Sequence, residues 1–228
     1  MIISRIISFF FPHHCIVCET PGVLLCDECT HQLPIHVRYL CPICHHETIA
    51  GSICIRCGLE RRHSSLDRLI VITNYKHAPI KRLIKAFKYA YVTDAMPIIT
   101  HIIGQVTGAL YLPANTLCTS IPLRRLRKIS RPYNHSQEIA RILSKASGLP
   151  YQDLLKKHRN TKHQAKLQRP DRIKNVHNSL TSQAPLAYNQ PIAIIDDVVT
   201  TGATMEEAAR ALKLAGAPIV IGIGLAHD

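Results

Sequence analysis

Apolar residues recur along the chain in two rhythms. Short unbroken runs, LIVITNY at 69–75, LCTSIPL at 117–123, PIAIID at 191–196 and PIVIGIGLA at 218–226, have the length and bounds of buried strands. Between them the apolar positions take helical spacing. Pro79 suits a first helical turn. Ile80, Leu83, Ile84, Phe87 and Tyr91 then share one face, with Lys81, Arg82, Lys85 and Lys88 elsewhere, as a solvated face or as phosphate contacts. A second helix is predicted over 94–111, and a third runs from a Ser136 cap to Ser147, where Gly148 and Pro150 end it. A fourth covers Thr204 to Ala215, with Glu206 and Glu207 in its first turn and Gly216 past its end. Residues 156–178 hold few apolar groups and many basic and amide side chains, and read as a loop or arm. Strands alternating with helices imply α/β architecture with a mostly parallel sheet.

The N-terminal run IISRIISFFFP is apolar but interrupted by Arg5, and it leads into His13, His14 and Cys15 without a small-residue cleavage site. It reads as a short helical arm packing Ile3, Ile6, Ile7 and Phe10 on a neighbour rather than as a signal peptide; a weak membrane or partner contact is the lesser alternative. No stretch approaches the roughly 18 apolar residues of a membrane span.

Composition is that of a globular chain, 46% hydrophobic and 19% charged over 228 residues. The formal charge of +13 is not spread evenly: residues 1–123 carry +4, residues 124–175 carry +12, and residues 176–228 carry −3. A block with 15 Lys and Arg against 3 acids is either a basic surface kept for solubility or a site for several phosphates or a nucleic-acid backbone.

Eight of the nine cysteines form four Cys-x-x-Cys knuckles: Cys15/Cys18, Cys26/Cys29, Cys41/Cys44 and Cys54/Cys57. A two-residue spacer lets both thiolates reach one tetrahedral ion, and two knuckles supply four sulfurs, so the set predicts two structural zinc sites. The simplest pairing of the knuckles is sequential, and a crossed pairing is open. Disulfides are disfavoured by the odd count and the absence of a secretory signal, and an iron–sulfur site is the weaker metal alternative. His13, His14, His45 and His46 flank knuckles, but eight cysteines make histidine ligands unnecessary. So short a module builds little core, and metal should supply its folding energy. Cys118, in an apolar run, reads as a core thiol. The polar turn GLERRHSS after Cys57 marks a boundary between a ribbon module at 1–60 and a second domain at 61–228.

IAIIDDVVTTGAT, residues 192–204, carries the chemistry. An apolar strand ends in two acids and passes through a small-residue loop into a helix. That arrangement offers backbone N–H groups to a phosphate at a helix N-terminus and sets carboxylates beside it for ribose hydroxyls. It is not a Walker A loop, because the Gly-Lys-Ser/Thr end is missing.

The segment resembles the 5-phosphoribosyl 1-pyrophosphate (PRPP) signature of type I phosphoribosyltransferases. The resemblance implies that fold: a parallel sheet with helices on both faces, here preceded by a small zinc-ribbon module. It implies that Asp196 and Asp197 bind the ribose hydroxyls, directly or through magnesium, and that Val198 and Val199 lead into a 5-phosphate cradle of Thr200, Thr201, Gly202, Ala203 and Thr204. SIPLRRLRKISRPYNHSQEIARILSKASGLP (120–150) is similar to the pyrophosphate-loop segment of the amidophosphoribosyltransferase-like branch, and RNTKHQAKLQRPDRIKNV (159–176) to its flexible loop. With the four knuckles and IKRLIKAFKY, the whole chain resembles the ComF (ComFC) family of competence proteins. One departure is Arg131-Pro132-Tyr133-Asn134-His135, where that family has Arg-Gly-Phe-Asn-Gln; proline stiffens a backbone that glycine leaves free.

A phosphoribosyl transfer develops negative charge on the departing pyrophosphate. Arg124, Arg125 and Arg131 are candidates to meet it, with Arg159 and Lys162 closing from the flexible loop; the same residues could contact DNA. The surplus of cations points to a longer polyanion. The resemblance implies handling of incoming single-stranded DNA in natural transformation, on the cytoplasmic side of the inner membrane, by a peripheral rather than integral protein. Tyr133 and Tyr151 are the aromatics of the basic stretch, so binding should be sequence-independent and salt-sensitive. The alternatives are an active phosphoribosyltransferase with an unknown acceptor, and a scaffold whose ribbons dock a competence helicase or a membrane channel.

Overall fold

In the computed structural model, which describes residues 14–89, 92–123, 133–158, 178–183 and 190–228, the four apolar runs lie side by side in one sheet. Its strands are β1 (Arg38–Leu40), β2 (Arg68–Asn74), β3 (Leu117–Ser120), β6 (Ile192–Val199) and β7 (Val220–His227), in the order β1-β2-β7-β6-β3. The pairs β2–β7, β7–β6 and β6–β3 are parallel, while β1 adds antiparallel to the outer edge of β2. Parallel strands need both faces covered, which is why β2, β6 and β7 are nearly continuous apolar runs.

The helices are α1 (Asp27–His31), α2 (Ile55–Leu59), α3 (Ala78–Tyr89), α4 (Val92–Val106), α5 (His135–Ser147) and α6 (Ala203–Leu214). A 3-10 turn at Thr107–Ala109 closes α4, so the predicted helix over 94–111 is present with a tighter end. One face of the sheet packs Ile70, Ile72, Ile195, Ile221 and Ile223 against α3, α4 and α5, and this core also takes in Cys15, Leu24, Leu25, Cys29 and Leu33 from the first knuckle pair. The other face packs Leu69, Val71, Ile192, Ile194 and Val220 against Met205, Ala208, Ala209 and Leu212 of α6, with Leu40 from β1. A Cβ at Gly222 would stand 2.7 Å from Met205 Sδ, so β7 needs glycine there for α6 to lie this close.

Two features differ from expectation. The strand predicted at 191–196 runs three residues further, because Asp196, Val198 and Val199 still find partners in Gly224, Ala226 and His227 of β7. The stretch expected to be a loop at 156–178 loses its first two residues to a strand: β4 (Leu155–Lys157) pairs antiparallel with β5 (Leu180–Ser182), just beyond its far end, as a separate two-stranded sheet. Three-residue strands lie below what periodicity detects.

The N-terminal arm with Ile3, Ile6, Ile7 and Phe10, and Tyr91, Arg124, Arg125, Arg131, Arg159 and Lys162, lie outside the described residues. Among the described residues no helix is long and apolar enough to cross a membrane.

Candidate functional site

The knuckles pair sequentially. Cys15, Cys18, Cys26 and Cys29 bring their sulfurs within 4.8 Å of one another, and so do Cys41, Cys44, Cys54 and Cys57. The Cys15–Cys26, Cys18–Cys26 and Cys44–Cys54 sulfur pairs are 3.9, 3.6 and 3.6 Å apart. Sulfurs at the corners of a tetrahedron with ~2.3 Å zinc–sulfur bonds stand roughly 3.8 Å apart. A disulfide would need about 2.0 Å. The donor sets therefore fit two tetrahedral metal ions, and their thiolate chemistry suggests zinc.

In each cluster, backbone N–H groups also converge on the sulfur of the first cysteine. Burial works to raise the Cys15 thiol, but the N–H groups of Cys18, Cys26 and Val17 outweigh it and bring it down to about 6. Cys41 is likewise held at about 6 against burial by Cys44, Cys54 and Ile43. Burial and then the neighbouring cysteines push Cys57 up to about 12. Four thiolates this close need a cation before all can ionise. Cys118 is fully buried and its thiol is raised to about 11 by burial alone, as befits a core residue.

The acid pair stands on β6 at the carboxyl end of the parallel sheet, where α/β folds place ligands. Asp196 Oδ1 accepts from Ser136 Oγ at 2.7 Å and from the Asp197 N–H at 2.9 Å. Burial and then the adjacent Asp197 carboxylate raise Asp196 to about 7, against the pull of Ser136, Lys88 and the Asp197 N–H. Asp197 Oδ1 accepts from Lys88 Nζ of α3 at 2.8 Å, in a pair whose side chains are only 16% and 20% exposed. The strand then enters the loop. Val199 is buried and its side chain is directed to Gly224, so of the predicted cradle it has only its backbone to offer. Thr200, Thr201, Gly202 and Thr204 are partly exposed, and Ala203 opens α6. Gly202 sits at φ 72, the left-handed turn that lets the loop feed its N–H groups into the first turn of α6.

Two residues of this site were not legible from sequence. Lys88 borders the apolar face of α3, next to Phe87, and reaches the acid pair; Lys81, Arg82 and Lys85 are exposed, with Arg82 donating to Ile16 O at 2.7 Å and Lys81 lying over the Tyr75 ring. Ser136 is not the helix cap it resembles. Asn134 takes the N-cap position, with its side-chain amide donating to Ile121 O at 3.0 Å, and Ser136 turns its hydroxyl to Asp196. His135, which replaces glutamine in the resembling motif, is buried edge-on against Phe87 with ring centroids 4.8 Å apart, a packing role. Tyr151 is half-buried, its hydroxyl tied to Asp153 and Ser120, while Tyr133 is 47% exposed.

Glu207 anchors the β4–β5 sheet to α6. Its carboxylate is buried, accepts from the Ser179 N–H at 3.0 Å and takes a bidentate contact from Arg210 at 2.9 Å. Burial would raise it, but Arg210 and the Leu180 and Ser179 N–H groups outweigh this and hold it below the usual carboxylate range. The described residues on either side of 159–177 are therefore held together by the β4–β5 pairing.

Comparison with known proteins agrees with this architecture. The phosphoribosyl transferase domain family matches residues 133–228. Competence protein F of Haemophilus influenzae is 26% identical over 224 residues, covering 89% of this chain and 96% of that protein. DNA utilization protein YhgH of Escherichia coli K12 is 27% identical over 220 residues, covering 88% and 94%. Competence protein ComFC of Bacillus subtilis is 24% identical over 196 residues, covering 84% and 79%. This chain, with two four-cysteine clusters set before the residues that match the phosphoribosyl transferase domain, is thus similar over 84–89% of its length to homologues named competence protein F, YhgH and ComFC.

Proposed function

We propose that this protein binds PRPP at the β6–α6 loop and handles single-stranded DNA in natural transformation, at the cytoplasmic face of the inner membrane and peripheral to it. The observation that carries the first half is the acid pair feeding a glycine-turned loop at the start of α6. Asp196 and Asp197 accept hydrogen bonds from the ribose diol, and the loop from Thr200 to Thr204 holds the 5-phosphate with backbone N–H groups and hydroxyls. The same carboxylates offer the hard oxygen donors that magnesium takes, and bound with PRPP that ion would neutralise diphosphate charge. Lys88 pairs with Asp197 in the free protein and is placed to turn to the diphosphate when the diol takes its partner. Arg124, Arg125, Arg131, Arg159 and Lys162 are the further cations for pyrophosphate or DNA.

For DNA, the support is the +12 block at 124–175 together with relatives named for competence and DNA utilization. Arg141, Lys145 and Lys156 are its solvent-exposed members among the described residues. A helicase or membrane channel of the uptake machinery is the protein partner this role calls for.

Calorimetric titration of PRPP with magnesium tests the site. The wild type should bind and the Asp196→Asn/Asp197→Asn double variant should not; equal binding would reject the assignment. Released pyrophosphate in the same samples would add catalysis to binding. Anisotropy of a labelled oligothymidine should show affinity falling roughly 300-fold or more between 50 and 200 mM salt for six or more phosphate contacts. No binding at low salt would remove the DNA role.

A further inference from the structure

The second cysteine cluster reaches the phosphate loop. Its Cys41-x-x-Cys44 turn continues into His45, whose backbone stands at φ 60. Two hydrogen bonds hold that turn, His45 N–H to Cys41 O at 2.9 Å and Cys41 N–H to His46 O at 2.7 Å. The imidazole lies against Gly202: a Cβ there would meet His45 Nε2 at 3.1 Å and Cε1 at 3.6 Å. Gly202 is thus doubly required, by its φ of 72 and by the ring beside it.

The other edge of the ring is also held. His45 Nδ1 is 2.9 Å from His227 Nε2, and the two rings meet edge to face at 4.9 Å. His227 is the last residue of β7 and pairs with Val199, while the Asp228 N–H bonds Val199 O at 3.0 Å. His45 is therefore fixed between a cysteine cluster, the end of β7 and the loop. When His227 donates to Nδ1, the hydrogen of His45 sits on Nε2, the nitrogen facing the loop. A ring N–H beside the first turn of α6 adds a side-chain donor where backbone donors already converge on an anion.

We propose that His45 binds the phosphate held by the Thr200–Thr204 loop and is delivered there by the second cysteine cluster, so that metal at Cys41, Cys44, Cys54 and Cys57 and phosphate at the loop strengthen each other. The proposal rests on the reading of that loop as a PRPP site. Linkage of this kind is reciprocal: phosphate should tighten metal at the second cluster by the same factor by which metal tightens phosphate, and slower release to a chelator is its readout. The first cluster packs with α3 and α4 on the opposite face of the sheet and serves as an internal control.

The test uses the full chain loaded with zinc, titrated with PRPP plus magnesium, with ribose 5-phosphate and with pyrophosphate. His45→Asn keeps a residue type that tolerates the left-handed turn but withdraws the ring nitrogen. It should weaken ribose 5-phosphate and PRPP about tenfold, ~1.4 kcal/mol, while zinc content is retained. Pyrophosphate binding should stay within about twofold, since its donors lie elsewhere, whereas a general loss of structure would weaken all three ligands. His45→Gln, whose amide reaches closer to the Nε2 position, should recover part of the loss. In the unaltered chain, ribose 5-phosphate should slow zinc release to a chromogenic chelator from one of two kinetic phases, and that protection should vanish in His45→Asn. Equal ribose 5-phosphate affinity in wild type and His45→Asn overturns the role of His45. Zinc release indifferent to ligand overturns the linkage, and this measurement on the unaltered chain suffices if His45→Asn loses zinc. A wild type that binds no PRPP at all overturns the site itself, which is a different result from either.

Discussion

Asp196 illustrates what burying one carboxyl beside another costs the folded protein. Its carboxyl stands at about 7 when folded, against the ordinary aspartate value near 4 when unfolded. Between those limits the native state holds a proton that the unfolded chain has released, so this group's contribution to stability declines as pH rises from about 4 to about 7. Above that window a largely buried anion stands next to Asp197 and works against the fold. Asparagine in its place still accepts from Ser136 Oγ and the Asp197 N–H. Asp196→Asn should therefore melt about 3 °C or more above wild type at pH 8, with the gap closing towards pH 4, in thermal unfolding scans across pH. An unchanged melting difference at both ends would mean that Asp196 is not raised. The same variant should bind PRPP less well, because the acceptor is exchanged for an amide.

Among the elements, α6 has two tasks. Its N-terminus completes the loop, and one turn further on Glu207 fastens the β4–β5 sheet from which residues 159–177 depart. Removing the carboxylate strands the Ser179 N–H and the Arg210 guanidinium. Breaking a buried pair costs about 3–5 kcal/mol, and the 29% exposure of Arg210 discounts this to about 2–3 kcal/mol. Glu207→Ala should lower the melting temperature by about 5–10 °C, and Glu207→Gln by less, because the amide oxygen still accepts from Ser179. Hydrogen exchange should quicken first at β5. Because the Glu207 carboxyl is held below the usual range, its stabilisation is present above about pH 4 and is lost as pH falls through its lowered value.

At the scale of the molecule, the cysteine clusters are built into the sheet rather than appended to it. Cys41 directly follows β1, which pairs with β2, and the Gly51 carbonyl accepts the Leu69 N–H at 2.9 Å. Metal loss should therefore loosen the β1 edge as well as the knuckles. A metal assay should find two zinc ions per chain. Strong chelation should expose eight thiols to a disulfide reagent and raise hydrogen exchange at Arg38–Leu40, while Cys118 stays unreactive until the core opens. One zinc per chain, or thiols that react no faster after chelation, would contradict two independent four-cysteine sites.

Local signals determined a great deal. Largely apolar runs marked β2, β3, β6 and β7, because strands buried on both faces leave little place for charged residues. The Cys-x-x-Cys spacing marked both donor sets, because two residues suffice to turn two sulfurs onto one point. IAIIDDVVTTGAT marked the acid pair and its loop, since strand, turn and helix start are contiguous there. Tertiary structure decided the rest. Sequential pairing of the knuckles, the reach of Lys88 to Asp197 across 109 positions, the turning of Ser136 to Asp196 across 60, and the approach of His45 to His227 across 182 depend on packing between distant elements. Each of those side chains looked locally like something else: a lysine for solvent or phosphate, a cap, a spare ligand. Periodicity and spacing report what a residue's neighbours in sequence require, whereas a buried polar contact is set by which surfaces the folded sheet brings together.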